Sequence, residues 1–123
     1  MSNVGPTRKQ FEKFKNLPRD TPIMMLNLIK LNKRARYEDG RKATGEEAYA
    51  TYNEESSPIV ASVGGTIIWR GKPESVLIGP QDERWDLAFI SHFPNSKAFL
   101  DMVTEPAYQA IAFHRQAAVK DSR

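Results

Sequence analysis

Residues 22–31, PIMMLNLIKL, form an apolar run with a single amide, Asn27, near its middle. A strand with one face in water alternates apolar and polar side chains, whereas this run is apolar at nearly every position. The pattern therefore predicts that residues 23–31 form a strand covered on both faces. Asn27 would share its face with the odd-numbered apolar residues of the strand, because side chains alternate between the two sides.

Two capping boxes mark helix starts in the first half of the chain. The box at 7–10, TRKQ, predicts an amphipathic leader helix over about 7–17, which at that length needs a surface on which to dock. The box at 44–47, TGEE, predicts a long helix. That helix should end at the two glycines at 64–65, because glycine adopts the left-handed conformation that helix ends require.

The second half of the chain contains further strand and helix patterns. Residues 66–70 and 75–79 read as two short strands, either a hairpin or one long bent strand with a bulge, and 85–93 as a strong strand. A helix follows over about 96–103, capped by Asn95 or Ser96, and another begins at Thr104. A final strand after it is missing or cut short.

This element order predicts an α+β protein with a ferredoxin-like β-α-β-β-α-β sheet and helices on one face. We expect a single domain over 1–123, with the leader helix and a basic loop over about 32–43 added to it. Helices cover only one side of such a sheet. A second copy of the chain is the economical cover for the other side, so we expect a homodimer.

Composition excludes several classes of protein. No apolar run reaches the roughly 18 residues of a membrane span, and the start of the chain has no signal-peptide core, so we expect a cytoplasmic protein without membrane contact. The chain has no cysteine, which excludes disulfides, thiolate metal sites and cysteine nucleophiles. Two histidines in all argue against a histidine-rich zinc site, and we expect no metal and no cofactor.

The net charge of +3 is unevenly distributed. Residues 1–42 contain eleven Lys/Arg against four Asp/Glu, and the remainder contains seven against eleven. Much of the excess lies at 30–42, KLNKRARYEDGRK, which favours a solvated basic loop. Contact with a substrate, a partner or phosphate remains open, but no recognition helix or RNA-binding motif accompanies the loop, which argues against nucleic acid.

An ordered set of motifs in the carboxy-terminal half resembles a known family. The stretches are VGGTIIWRG at 63–71, VLIG at 76–79, WDLAFISHF followed by proline at 85–94, and EPAYQAIAFHR at 105–115. Together they resemble the domain of unknown function 1330 family over about 44–121. The resemblance implies a dimeric α/β barrel, in which two ferredoxin-like sheets face each other, and it implies no established activity. Residues 1–20 and the basic loop extend beyond a minimal member.

Two residues are candidates for catalysis. His92 on the third main strand suits general acid or base work near neutral pH, although a structural role at the strand end is the alternative. Asn27 lies on the first strand, which neighbours the third in a ferredoxin-like sheet. A buried amide needs hydrogen-bond partners, so Asn27 belongs to a pocket, to a structural network or to a dimer contact.

Five residues are candidates for substrate binding. Tyr108 and Arg115 lie seven residues apart on one helical face, where they can bind a carboxylate or anchor the helix. Arg70 follows Trp69, so the two point to opposite faces; Arg70 needs an acid, a ligand or solvent, and Trp69 suits a core or a dimer interface. Tyr52 faces the sheet, where it lines a pocket or packs in the core.

Two functions compete at this level. The first is a small cofactor-free enzyme that performs proton transfer or oxygenation on a small hydrophobic or aromatic molecule, by analogy with relatives of the superfamily that the resemblance suggests. The second is a non-catalytic dimeric module that binds a small ligand or a partner. An enzyme should have an apolar pocket of several hundred Å³ in which Asn27, Arg70, His92 or Tyr52 converge.

Overall fold

The computed structural model describes residues 2–123. Among these residues no helix is both long and apolar enough to cross a membrane. The elements in chain order are α1 (Arg8–Lys15), β1 (Ile23–Leu31), α2 (Gly45–Ser62), β2 (Thr66–Gly71), β3 (Leu87–Phe93), α3 (Ser96–Thr104), α4 (Pro106–Gln109), α5 (Ala112–Ala118) and β4 (Val119–Ser122).

The four strands form one sheet in the order β2-β3-β1-β4. Every neighbouring pair is antiparallel, and β1 lies beside β3 with Asn27 opposite Phe89. Helices follow β1 and β3, which gives the β-α-β-β-α-β order of a ferredoxin-like fold. The predicted α+β class and the predicted neighbourhood of the first and third strands are both confirmed.

The two faces of β1 differ in their cover. Ile29 is buried in the main core cluster together with Ala48 and Tyr49 of α2, so the odd-numbered residues of β1 face the helices. The even-numbered residues point the other way, where Met24 and Leu26 are 66% and 63% exposed. We call this second side the open sheet face. It is apolar and carries no helix of residues 2–123.

The helix starts follow the predicted caps. Both capping boxes form, with Thr7 accepting from the backbone of Gln10 and Thr44 accepting from the backbone of Glu47. At α3 the cap is Asn95, whose side chain accepts from the backbone of the third helical residue at 2.8 Å. The leader helix α1 docks on α3, where the rings that close this contact lie 5.2 Å apart, Phe14 against Phe99.

The strand expected over 75–79 is not present. β2 is a single strand with a bulge at Ile68, and residues 72–86 form neither helix nor strand. Leu77 and Ile78 are 91% and 90% exposed. Branched residues favour a strand only where a neighbouring strand supplies hydrogen bonds, and none of the four strands pairs with this segment.

The last helical region also differs from the prediction. One helix from Thr104 was expected, but the backbone leaves helical geometry at Ile111, with φ −114° and ψ −4°, and separates α4 from α5. The chain then ends in β4, a strand of four residues that pairs with β1 and shifts register near Leu31. The expected final strand is therefore present in a shortened form.

The basic loop over 32–43 is held against the end of the chain. The backbone N–H of Asn32 donates to the carbonyl of Ala118 at 2.8 Å, and that of Arg36 donates to Ala117 at 2.9 Å. Arg41 forms an exposed ion pair with Asp39 at the turn of the loop, 2.7 Å between Nη2 and Oδ2. These backbone hydrogen bonds give the loop a defined course over α5.

Candidate functional site

A large cavity lies between the sheet and the helices. Its volume is about 1350 Å³, and it is lined by the helix-facing residues of β1, β2 and β3 together with side chains from all five helices. We call it the central cavity. Its aromatic wall consists of Phe11, Phe14, Tyr49, Tyr52, Phe89, Phe93, Phe99 and Tyr108.

Every charged side chain that lines the central cavity is an arginine. The three are Arg70, Arg115 and Arg123, and no Asp, Glu, Lys or His of residues 2–123 lines the cavity. Arg123 is already paired with Asp121, 2.8 Å from Nη1 to Oδ1, and it lies over the ring of Trp85. The uncompensated positive charge of the cavity therefore belongs to Arg70 and Arg115, which we call the arginine pair.

The arginine pair comes from two separate elements. Arg70 lies on the helix-facing side of β2 opposite Phe89, and its side chain makes no hydrogen bond or ion pair within residues 2–123. Arg115 lies on α5 and donates a hydrogen bond from Nη1 to the backbone carbonyl of Val4. That bond also fixes the segment before α1 against the cavity.

Three tyrosines of the wall lie close to one another. The hydroxyls of Tyr52 and Tyr108 share a hydrogen bond of 2.7 Å, and the rings of Tyr49 and Tyr52 have centroids 5.5 Å apart. Burial raises the pKa of Tyr49 to about 12, while the positive charges of Arg115 and Arg70 act against that rise. Burial also raises the pKa of Tyr52, and its neighbour Tyr108 adds to the rise. The hydroxyls of Tyr49 and Tyr52 therefore remain protonated near pH 7.

Asn27 points into the central cavity from the middle of the sheet. Its amide nitrogen donates to the carbonyl of Met25 at 3.0 Å, so the amide is oriented by its own strand. The structure brings Asn27 together with the arginine pair, Tyr52 and Tyr108 around one space. These five residues were all singled out from the sequence.

The two other sequence candidates lie on the opposite side of the sheet. His92 is the strand partner of Met24 and of Thr66, on the open sheet face. Trp69 pairs with Ile90 on that same face and is half exposed. Neither residue lines the central cavity, so His92 and Asn27 do not converge.

Sequence reasoning missed most of the aromatic wall. Phe89 and Phe93 face the helices because they occupy alternate positions of β3 in register with Asn27 and Ile23. The sequence shows that these two residues point to the same side of the strand. It does not show which side of the sheet this is, because that depends on the strand register. The sequence predicts that the leader helix docks on a surface, and the structure shows that Phe14 of this helix also lines the cavity.

The arrangement is suited to binding an anion among aromatic rings. Guanidinium groups form paired hydrogen bonds with planar anions, and the tyrosine hydroxyls and the Asn27 amide supply further polar contacts. Within residues 2–123 no group of three or more His, Asp or Glu side chains is placed to hold a metal ion. The chemistry available in the cavity is hydrogen bonding and positive charge.

Solved structures of similar chains share this fold. The methylated RPA0582 protein is 48% identical over 99% of this chain and 90% of its own, with a TM-score of 0.96. The RPA0582 protein of Rhodopseudomonas palustris, described as a protein of unknown function, is 46% identical over 100% and 93%, with a TM-score of 0.95. A Bacteroides fragilis protein, described as dimeric with a ferredoxin-like fold, is 17% identical over 86% and 94%, with a TM-score of 0.52.

Family comparison agrees with the resemblance seen in the motifs. No curated protein matches the chain. The family described as Domain of unknown function (DUF1330) matches residues 40–122, about two thirds of the chain, and this range includes α2 and every element after it. The chain belongs to the DUF1330 family.

Proposed function

We propose that the protein binds a small hydrophobic or aromatic molecule in the central cavity. The observation that carries this proposal is the cavity itself, about 1350 Å³ of space with eight aromatic side chains in its wall. This volume exceeds the roughly 300 to 1,000 Å³ of typical ligand sites, but the lining is of the same kind, mainly apolar and aromatic groups with a few polar ones. The Asn27 amide and the tyrosine hydroxyls are such polar groups.

A second candidate is a cofactor-free enzyme that acts on the same molecule by proton transfer or oxygenation. The Tyr52–Tyr108 hydroxyl pair favours it, because hydroxyl donors beside the charge of Arg115 can stabilise a developing oxyanion. A proton-transfer enzyme also needs a general base, and no carboxylate or imidazole of residues 2–123 lines the cavity. Binding is therefore the function that the geometry supports better.

We propose in addition that the protein is a homodimer in which the open sheet faces of two copies meet. Met24, Leu26 and Trp69 leave this face apolar and more than half exposed. Exposed apolar patches of this kind favour association. The Bacteroides fragilis protein with the same fold is described as dimeric, which supports the proposal by analogy of fold.

Binding can be tested with a neutral aromatic probe, 2-naphthylmethanol, followed by calorimetry and by NMR shifts. We expect shifts at Phe89 and Phe99 inside the cavity and none at Met24 on the open sheet face. The variant Ala112→Phe narrows the cavity and should weaken binding at least about 10-fold. Ala50→Phe, on the exposed side of α2, is the matched control and should bind normally.

The opposite results would reject the proposal. A probe that binds the two variants equally does not occupy the central cavity. Absence of binding, or shifts confined to the open sheet face, would contradict a ligand site between sheet and helices. Chemical conversion of a bound molecule, detected by mass spectrometry, would favour the enzyme over the binding module.

A further inference from the structure

The central cavity carries positive charge that no protein group neutralises. The side chain of Arg70 has no ion pair or hydrogen bond within residues 2–123, and Arg115 uses a guanidinium nitrogen for a single backbone carbonyl, that of Val4. A guanidinium group has five N–H donors. Most of the donors of the arginine pair are therefore available to a molecule in the cavity.

Both arginines belong to the same cavity lining as Tyr49. Arg70 and Arg115 line the central cavity together with Tyr49, and Arg70 and Tyr49 also line a smaller adjoining pocket. In agreement with this placement, their positive charges act against the rise in the pKa of Tyr49 that burial causes. The hydroxyl of Tyr49 has no hydrogen-bond partner within residues 2–123. The central cavity is thus lined by two cations and by a neutral hydroxyl donor that has no partner in the described part of the chain.

The arginine pair beside the aromatic wall should favour an anionic ligand over a neutral one. Arg115 is half-buried beside the aromatic wall, where the rings exclude part of the water that would otherwise solvate an unpaired cation, and this exclusion is costly. Arg70 is exposed and adds a second positive charge to the same lining. An anion that enters the cavity removes that cost, and a carboxylate matches the planar fork of a guanidinium. A phosphate dianion is more strongly hydrated and would need more donors than this largely apolar wall supplies.

We infer that the ligand of the central cavity is an aromatic or hydrophobic carboxylic acid, with its carboxylate between Arg70 and Arg115 and its apolar body against Phe89 and Phe99. This inference rests on the proposed function, since it specifies the ligand class for the same cavity. The Asn27 amide and the Tyr52–Tyr108 pair line the same cavity, where they can contact a second polar group.

The test compares two probes of equal shape, 2-naphthoate and 2-naphthylmethanol, by calorimetry at constant ionic strength. We expect the wild-type protein to bind the acid at least about 10-fold more tightly than the alcohol, because only the acid pairs with arginine. Arg70→Gln and Arg115→Gln should each lose at least about 10-fold in affinity for the acid and change little for the alcohol. Arg19→Gln, an exposed arginine outside the cavity, is the control and should bind both probes normally.

The variant of Arg115 also loses its bond to Val4, so Arg70→Gln carries the test if Arg115→Gln fails to fold. Arg70 has no such structural bond. Arg115→Lys retains the charge without the planar fork and should fall between the wild type and Arg115→Gln.

Each result has one meaning. Equal affinity for acid and alcohol, unchanged in the Arg70 and Arg115 variants, overturns the carboxylate inference and leaves the hydrophobic binding function intact. Failure of both probes overturns the proposed function together with the inference. Tighter binding of 2-naphthyl phosphate than of 2-naphthoate overturns the assignment of the anion as a carboxylate.

Discussion

The hydroxyl groups of Tyr52 and Tyr108 lie 2.7 Å apart, although 56 residues separate them in the chain. Tyr52 belongs to α2 and Tyr108 to the four-residue helix α4. Their hydrogen bond joins two elements that have little other contact, at the wall of the central cavity. It should therefore contribute to the position of α4 as well as to stability.

Removing either hydroxyl should destabilise the protein, and removing both should cost little more. We expect Tyr52→Phe and Tyr108→Phe each to lower the free energy of unfolding by about 1 kcal/mol, since each breaks the same hydrogen bond. A double-mutant cycle measured by urea denaturation should give a coupling energy of about 0.5 to 1.5 kcal/mol. Tyr49→Phe, whose hydroxyl has no partner, is the control. Additive single effects would contradict the bond.

These residues show how far the sequence determines the site. The sequence places Asn27 on the same side of the strand as Ile29, because side chains alternate, but it leaves open which side faces the helices, because both sides are apolar. The structure buries Ile29 against α2 and so places Asn27 on the helix side. The face of His92 could not be assigned from the sequence either. It depends on the register that places His92 opposite Met24, and register is a property of strand pairing and not of local sequence.

The segment 75–79 shows a different limit. Its composition is that of a strand, yet Leu77 and Ile78 are almost fully exposed. Local propensity predicts which conformation a segment prefers, but a strand also requires an edge with which to pair. The contact between Tyr52 and Tyr108 also depends on tertiary structure. It forms only because α4 packs beside α2, and the local sequence does not determine that packing.

The stability of the protein should fall in alkaline solution in a manner that depends on Tyr49. Its pKa is raised to about 12 from an ordinary 10.0, so the folded state retains the proton after the unfolded chain has lost it. The stabilisation is complete below pH 10 and is lost as the pH rises from 10 through 12. From pH 8 to pH 11 we expect wild type to lose about 1 kcal/mol more than Tyr49→Phe, measured by urea denaturation. Parallel profiles would contradict this prediction.

Tyr37 should contribute to the stability of the protein through its hydrogen bond to the buried His114. The hydroxyl of Tyr37 lies 2.7 Å from Nδ1 of His114, and Nε2 of His114 lies 3.0 Å from Oε2 of Glu55. Tyr37→Phe leaves a buried ring nitrogen without a partner and should lower the free energy of unfolding by about 1 to 3 kcal/mol.

The matched comparison for Tyr37 is Glu55→Gln, which should cost less than about 1 kcal/mol. Glu55 is half exposed, and the oxygen of a glutamine can still accept from Nε2. Both variants can be measured by thermal and urea unfolding. An equal or larger loss for Glu55→Gln would show that the Tyr37 bond is not the main contact of His114.

Gly45 should not tolerate a side chain. A Cβ at this position would lie 1.8 Å from the backbone oxygen of Asn32, and backbone atoms cannot move aside as a flexible side chain can. Gly45→Ala should therefore destabilise the protein by about 3 kcal/mol or more, because either α2 or the start of the basic loop must shift. Gly5→Ala, where a Cβ meets nothing within 4 Å, is the control and should be neutral in thermal unfolding. Equal melting temperatures for the two variants would rule out the close approach.

The proposed dimer predicts that one charge on the open sheet face changes the state of assembly. Leu26 is 63% exposed at the centre of that face, and Leu26→Lys would place a charge where two copies are proposed to meet. Burial of an unpaired charge is strongly unfavourable, so the variant should sediment as a monomer of 14.0 kDa while wild type sediments at about twice that mass. Leu26→Met keeps the face apolar and should remain dimeric. A wild-type monomer at micromolar concentration, or a Leu26→Lys protein that stays dimeric, would place the interface elsewhere or exclude it.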